Sequence, residues 1–247
     1  MGKNKLAKFE EMERFEHVVQ APYNKIKNDD FYLKGKWNTA FFQNQNPVVL
    51  ELGCGKGEYT VELAEKNPLV NFIGVDIKGA RLWKGAKQAL DKKLANVAFL
   101  RTNIEIIPQF FGKNEVDEIW LTFPDPQMKK TRKRLTSTTF LKKYKSFLKN
   151  DGTIHLKTDS NFQFTYTREL VHLNHFEILA ETGNLYESDL LNETLQIKTF
   201  YEKQWLARGI TIKYIAFRLN NKPFEEPDIE IENDDYRSFG RSAKDIH

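Results

Sequence analysis

Phe123-Pro-Asp-Pro126 sets one carboxylate, Asp125, between two prolines at the end of the apolar run Ile119-Trp-Leu-Thr-Phe123. Proline fixes φ and drives the residue before it out of the helical region, so the acid stands on a stiff, extended platform. Lys129, Lys130, Arg132, Lys133 and Arg134 follow within the next nine residues. A fixed acid can stabilise positive charge that develops beside it, and a dense cationic run can neutralise several phosphates. The pairing predicts polyanion binding next to a place where chemistry happens. The plainer reading of the same residues is a capped turn followed by solvated bases.

A second motif weighs against that plainer reading. Glu51-Leu-Gly53-Cys-Gly55-Lys-Gly57 follows a strand pattern and opens a helix pattern, the position at which doubly wound sheets bind ligands. Glycines there let the backbone turn tightly and approach a ligand without a Cβ in the way. Glu58 stands where a dinucleotide loop would continue, and with Glu51 it would repel a pyrophosphate. A cofactor with ribose, adenine and an ammonium group, but no phosphates, suits this acidic rim; S-adenosylmethionine is one. Asp76 ends the next strand, where an acid can accept bonds from ribose hydroxyls, and Arg101-Thr-Asn103 ends the third, where adenine would lie. A tight turn made by three glycines, with no ligand, is the alternative for this loop alone.

These motifs need a scaffold, and strand and helix patterns alternate along most of the chain. Strands are expected at 47–52, 70–76, 97–101, 116–122, 152–157, 175–182 and 211–218, and helices at 3–19, 57–66, 79–94, 137–149, 160–173 and 198–208. That alternation predicts an α/β fold with a doubly wound, mainly parallel, seven-stranded sheet and an antiparallel edge strand. Residues 1–46 read as an N-terminal helix and loop extension, 47–222 as the catalytic domain, and 223–247 as an acidic, loosely ordered tail.

Composition narrows the function classes. The chain has 247 residues, 40% hydrophobic and 29% charged, with no apolar run long enough to span a membrane and no apolar signal-peptide core near the start. One cysteine, Cys54, leaves no disulfide framework and no cysteine metal cluster, which predicts a cytoplasmic protein. Net charge is +4, but seven acids and no base lie between residues 225 and 235, whereas residues 127–149 carry nine Lys or Arg and no acid. Bases this concentrated tilt the expected partner toward nucleic acid. The five histidines show no ligand spacing, so no metal is expected. Cys54 reads as a small filler, and Phe110, Phe111, Tyr144 and Phe147 as core residues or stacking platforms.

Asp125 ends the fourth strand, beside the first in the usual strand order, where it would face a methyl donor. A purine N7 carries a lone pair and no proton, so its methylation needs orientation rather than a general base. The Asp-Pro-Pro-Tyr-type motif of exocyclic-amine methyltransferases is absent, so the residues favour a ring nitrogen. Taken in order, Glu51-Leu-Gly-Cys-Gly-Lys-Gly57, Gly74-Val-Asp76, Asn103, Phe123-Pro-Asp-Pro126 with its basic run, Lys157-Thr-Asp159 and Thr199-Phe-Tyr-Glu202 resemble the tRNA (guanine-N7-)-methyltransferases over roughly Val48 to Gly209. The resemblance implies a class I, S-adenosylmethionine-dependent fold and an enzyme that makes 7-methylguanosine at the variable-loop guanine of tRNA, position 46 in conventional tRNA numbering.

Carried over to this sequence, the resemblance implies that Glu51, Asp76, Asn103 and Asp125 bind the cofactor, beside Gly53, Gly55 and Gly57 of the loop, and that Asp125 is also the catalytic acid. Lys129, Asp159, Thr199, Tyr201 and Glu202 would hold the tRNA or its guanine, with Asp159 and Glu202 accepting from the guanine N1 and N2 edge. It further implies tRNA as partner. Some family members need a separate subunit, but the compact basic face here favours a self-sufficient monomer or homodimer, and the lack of a long apolar run leaves no membrane span. The chain departs from the family pattern at Gln127 and Met128, where an aromatic residue or histidine is common, and in its acidic tail. On the residues alone, a methyltransferase for another RNA and a catalytically silent RNA-binding protein of the same fold stay open.

Overall fold

Val48-Val-Leu-Glu-Leu52 (β2) and Asn71-Phe-Ile-Gly-Val75 (β3) are nearly continuous apolar runs, and every residue of both is buried, as expected of parallel strands covered on both faces. They lie inside a sheet with β1 (Val18–Gln20), β4 (Val97–Arg101), β5 (Val116–Thr122), β6 (Leu148–Thr158), β7 (Glu177–Thr182) and β8 (Lys213–Arg218). A computed structural model of the chain describes residues 3–21 and 31–238. Residues 22–30 of the expected N-terminal loop, and the last part of the acidic tail, lie outside the described residues. The helices are α1 (Lys3–Met12), α2 (Glu58–Lys66), α3 (Gly79–Asp91), α4 (Thr138–Tyr144), α5 (Asn161–Leu173), α6 (Phe200–Ala207) and α7 (Asp235–Ser238).

Strand order is β1-β4-β3-β2-β5-β6-β8-β7. From β1 through β6 all pairs are parallel, and β8 runs antiparallel to both of its neighbours. The order reverses between β2 and β5, paired at Leu50 and Ile119, and this switch point opens a crevice beyond the strands' carboxyl ends. The glycine loop leaves β2 there, and the Pro-Asp-Pro platform leaves β5 there. Across that crevice α3 buries Leu82, Gly85, Ala86 and Ala89. A Cβ on Gly85 would lie 2.7 Å from the Lys56 carbonyl oxygen and 2.8 Å from Gly57 Cα. Only a glycine lets α3 press against the loop this closely.

Among the described residues the sheet has eight strands where seven were expected. The extra one, β1, starts inside the stretch 3–19 read as helix and ends one residue past it; α1 stops at Met12, and the β-branched pair Val18-Val19 pairs with Phe99 and Leu100 on the outer edge. The expected antiparallel edge is formed by the last two strands, with β7 outermost and β8 between it and β6. The helix expected over 137–149 ends at Tyr144, because Leu148 turns back to pair with Val116 and lengthens β6. Part of the expected extension is core. Trp37 is fully buried and donates to the Phe110 carbonyl at 3.0 Å, and the Glu115 carboxylate accepts from the N–H groups of Gly35, Trp37 and Gly112. Phe110, Phe111, Tyr144 and Phe147 are all buried as well.

The acidic segment is not loose where it is described. Glu225 and Asn174 exchange two hydrogen bonds, at 2.7 and 2.8 Å. The Glu226 carboxylate accepts from the backbone N–H and hydroxyl of Thr138, at 2.9 and 2.7 Å, and from the Tyr166 phenol. Asp234 accepts from Ser160 Oγ and from the Phe162 N–H at 3.1 Å. A run of acids reads as self-repelling in sequence, yet here Glu226 and Asp234 each meet N–H groups at the start of a helix, where a negative charge is favoured. We expect Glu226→Ala to lower stability by about 1–3 kcal/mol, the cost of stranding these donors, seen as a lower denaturant midpoint at unchanged slope. An unaltered midpoint would mean that the segment does not brace α4 and α5.

Candidate active site

Three backbone positions in the loop after β2 lie in the left-handed region, Gly53, Gly55 and Gly57, with φ of 84°, 57° and 68°. Two of them need glycine for different reasons. At Gly57 a Cβ would lie 2.7 Å from the Phe99 ring, so that position is closed by packing. At Gly53 a Cβ would meet nothing within 4 Å; its bare backbone borders the open crevice, available to a ligand. The Gly53 and Cys54 N–H groups both donate to the Val75 carbonyl, at 2.8 and 3.1 Å, and lock the loop to the end of β3. Cys54 is buried, and burial pushes its thiol pKa up, so it packs and does not react.

Two acids tie this loop to its surroundings. Glu51 is buried at the end of β2 and accepts from the Thr60 N–H at 2.9 Å and from the hydroxyls of Thr60 and Thr122. Burial raises its pKa to about 7 against the lowering effect of these three bonds, with a small further push from the Asp76 charge. Asp76 uses one carboxylate oxygen to accept from the Gly55 N–H at 2.9 Å and the other to accept from the Lys78 N–H at 2.7 Å. One carboxylate therefore fixes the glycine loop relative to the start of α3.

The Pro-Asp-Pro platform is bounded by two non-glycine residues in the left-handed region, Phe123 at φ 51° and Gln127 at φ 48°. Such conformations cost about 1–3 kcal/mol each and persist only where the surroundings impose them. Here the Phe123 N–H donates to the Lys157 carbonyl at 2.8 Å, and Pro124 and Pro126 are both buried. Asp125 between them is exposed and accepts from the Gln127 N–H at 3.0 Å. The reversals at either end turn the carboxylate toward a groove of about 330 Å³ that Gly53, Asp76, Ile77, Asn103 and Ile104 also line. Asn103 is held by its own turn, its side-chain oxygen accepting from the Glu105 N–H at 3.0 Å. The expected cofactor residues Gly53, Asp76, Asn103 and Asp125 thus share one cavity. Glu51 and Gly55 line a second, smaller one of about 110 Å³ that meets the first at Gly53 and Asp76, whereas Gly57 serves packing.

The expected substrate residues separate into two groups. Thr199 and Tyr201 line the smaller cavity with Lys56, and Lys129 is exposed on the basic run. Asp159 and Glu202 were expected to offer oxygens to a guanine edge, but both are fully buried. Glu202 pairs with the buried Lys157 at 2.8 Å, accepts from the Tyr186 phenol at 2.7 Å, and closes the capping box of α6 with Thr199. Burial lowers the Lys157 pKa and Glu202 draws it back up, while the Leu195 and Ile197 carbonyls take two more of its protons. Asp159 accepts from the Tyr236 phenol at 2.9 Å.

The basic run divides too. Lys129, Lys130, Arg132 and Lys133 are exposed, with Lys133 paired to Glu105. Arg134 is buried, lies 4.3 Å over the Tyr166 ring and donates to the Met128 carbonyl at 3.0 Å, so it holds the fold and is not open to phosphate. Sequence reading missed the groove's apolar wall, Ile77, Ile104, Leu135 and Phe140, and the stack of Lys56 over the exposed Phe200 ring at 3.8 Å. Ile77, exposed next to Asp76, carried the one available signal.

The groove fits a particular kind of ligand. Its rim carries Asp76, Glu105 and Asp125, its floor reaches Glu51, and Ile77 and Ile104 offer an apolar wall beside them. A cationic ligand with a flat apolar group and hydroxyls matches these acceptors and surfaces; a diphosphate does not.

Comparison with known proteins agrees with this geometry. A family model described as "Putative methyltransferase" matches residues 45–215. The tRNA (guanine-N(7)-)-methyltransferase of Bacteroides thetaiotaomicron is 58% identical, covering 99% of this chain and 97% of that protein. The proteins of the same name from Porphyromonas gingivalis and Cytophaga hutchinsonii are 55% and 39% identical, over 94% and 88% of this chain and 98% of each relative. Among solved structures, the 16S rRNA methyltransferase KamB aligns with a TM-score of 0.58 at 14% identity, over 76% of this chain and 94% of that one. An antibiotic-related methyltransferase aligns at 0.54 and 22% identity, over 72% and 90%. At these identities the structures establish the fold, that of the class I S-adenosylmethionine-dependent methyltransferases. The relatives establish the rest: the chain belongs to the tRNA (guanine-N(7)-)-methyltransferase family.

Proposed function

We propose that this protein methylates N7 of a guanine in tRNA, the variable-loop guanine at position 46, with S-adenosylmethionine as methyl donor. The observation that carries this reading is one cavity shared by Asp125, Gly53 and Asp76, with exposed cations starting four residues beyond Asp125. When bound, S-adenosylmethionine supplies an electrophilic methyl group on a sulfonium centre. Gly53 and Asp76 would hold it from the loop side, Asn103, Ile77 and Ile104 from the side of β4, and Glu51 from beneath. Asp125 then faces the place where the acceptor ring must sit. N7 has no proton to lose, so Asp125 needs only to stay fixed and charged beside the ring as positive charge develops on it.

Outside the groove, Lys129, Lys130 and Arg132 face solvent and suit tRNA phosphates, the sequence-independent part of binding. The exposed bases Lys129, Lys130 and Arg132 so near Asp125 favour action without a second subunit, as a monomer or homodimer. The site of tRNA modification implies the cytoplasm.

Labelled S-adenosylmethionine and tRNA transcripts that differ only at the variable-loop guanine test this reading together with Asp125. We expect transfer to the guanine transcript alone, and for Asp125→Ala a loss of turnover with tRNA affinity kept. Transfer that ignores the base, or near-normal turnover of the variant, would sink it. A second prediction separates the two kinds of cation. Replacing Lys129, Lys130 and Arg132 by Ala should weaken tRNA binding and reduce its salt dependence by about one slope unit for each phosphate that is no longer neutralised. Arg134→Ala should lower stability and leave that slope alone; the reverse pattern would mean the groups have been exchanged.

Glu51 gives a third prediction. With its pKa raised to about 7, it is largely protonated in the free protein at about pH 6, and a cation in the groove favours the ionised form, lowering that pKa. Cofactor binding should then release protons at about pH 6 and none at about pH 9, measured by calorimetry in buffers of different ionisation enthalpy. Glu51→Gln should remove the release; equal proton counts at both pH values would show that Glu51 does not sense the ligand.

A further inference from the structure

Asp159 lies just past the end of β6, next to the platform: the carbonyl of Lys157, two residues earlier, accepts from the Phe123 N–H. Yet it is fully buried, and a phenol from the end of the chain covers it. Tyr236 donates to the Asp159 carboxylate at 2.9 Å and to its carbonyl at 3.0 Å. The segment carrying Tyr236 touches each stretch expected to border the substrate. The Asp234 N–H points at Met128 Sδ, 3.4 Å away, just past the platform; Asp234 also caps α5; and the Tyr236 ring meets Trp205 of α6 edge-on at 5.4 Å. The segment therefore spans the mouth between the platform, the end of β6 and α6.

We propose that residues 234–236 are a strap over the substrate mouth, with the Tyr236 phenol standing in for the N–H edge of the guanine and withdrawing when tRNA binds. The inference rests on the reading of Asp159 as an acceptor for that edge. Chemistry favours a stand-in. A buried carboxylate without a donor is costly, so between turnovers the acid is best served by a donor that can leave. A single phenol O–H offers one such donor, against the two kinds of N–H on the guanine edge. Lys213 makes withdrawal feasible. Its ammonium donates to the Asp159 carbonyl at 3.1 Å and is drawn on by the charges of both Asp159 and Asp234, so Asp159 keeps a cation nearby when the strap departs.

Steady-state kinetics on the full chain test this with Tyr236→Phe, which keeps the ring against Trp205 and deletes the donor. We expect KM for tRNA to fall about fivefold, the order of one hydrogen bond, with kcat and KM for the methyl donor unchanged. In an Asp159→Asn background the same substitution should have no further effect. Hydrogen exchange should show residues 234–238 becoming less protected when tRNA binds. An unchanged or raised KM in Tyr236→Phe, a full effect that persists without Asp159, or rising protection on tRNA binding would each overturn the strap. None of these mimics failure of the proposed function itself, which would appear as no base-dependent transfer by the unmodified protein.

Discussion

The buried carboxylate of Glu51 is the constraint around which the site is arranged. It ends the central strand at the switch point, and its bonds to Thr60 and Thr122 join β2 to α2 on one side and to β5 on the other. A carboxylate in such a place carries a desolvation cost that three hydrogen bonds only partly offset, and its pKa stands near neutrality as a result. On the proposed reading, the positive group of the methyl donor in the crevice above offsets that cost. The same logic extends to Asp76 and Asp125, which line the larger cavity with Glu105, while Lys129, Lys130 and Arg132 stand outside it. On the same proposed reading, these acids would face the cationic donor and the three exposed bases the phosphates of the acceptor.

Placement of Asp125 shows how strain and register combine. Left-handed backbone at Phe123 and Gln127 would relax in a free loop. It is held because the sheet register extends one bond beyond β5, from Phe123 to Lys157, and because both prolines are buried. Lys157 is itself fixed by Glu202, which closes the cap of α6. A chain of contacts thus runs from the platform through a buried ion pair to the helix carrying Thr199 and Tyr201. Breaking that pair would leave an uncompensated buried charge, so the two sides of the substrate mouth are held in one geometry by interactions that never reach solvent.

Much of this was legible in the sequence because the signals were local. Val48–Leu52, Asn71–Val75 and Val116–Thr122 announced themselves as apolar runs, and the glycine loop and the proline platform fell at their ends. What stayed hidden depended on partners far away in sequence. β1 is three residues long and has meaning only against β4. Arg134 looked like its neighbours until Phe162 and Tyr166 closed over it. Asp159 and Glu202 were singled out as site residues, but nothing local reveals that Tyr186, Lys157 and Tyr236 occupy them. Repulsion within the acidic segment was likewise the wrong guide, since Glu226 and Asp234 answer helix N–H groups and not each other.

Four acids at or near strand ends and helix starts each have a protein donor, and where those donors come from distinguishes their roles. Glu51 is served from α2 and β5, Asp76 from the glycine loop and the N–H two residues on, and Glu202 from β6 and the residue that caps its helix. Removing any of these donors would mean dismantling the sheet, a helix or the glycine loop. The phenol on Asp159 arrives instead from 77 residues downstream, on a segment that adds no strand to the sheet. Among its anchors, a helix cap at Asp234 and an edge contact with Trp205 are each worth about 1 kcal/mol. Free energies of that size are small against what a tRNA gains from several phosphate contacts. In an otherwise rigid site, the donor that substrate binding can displace without disturbing the sheet is therefore the one that covers the acid expected to read the base.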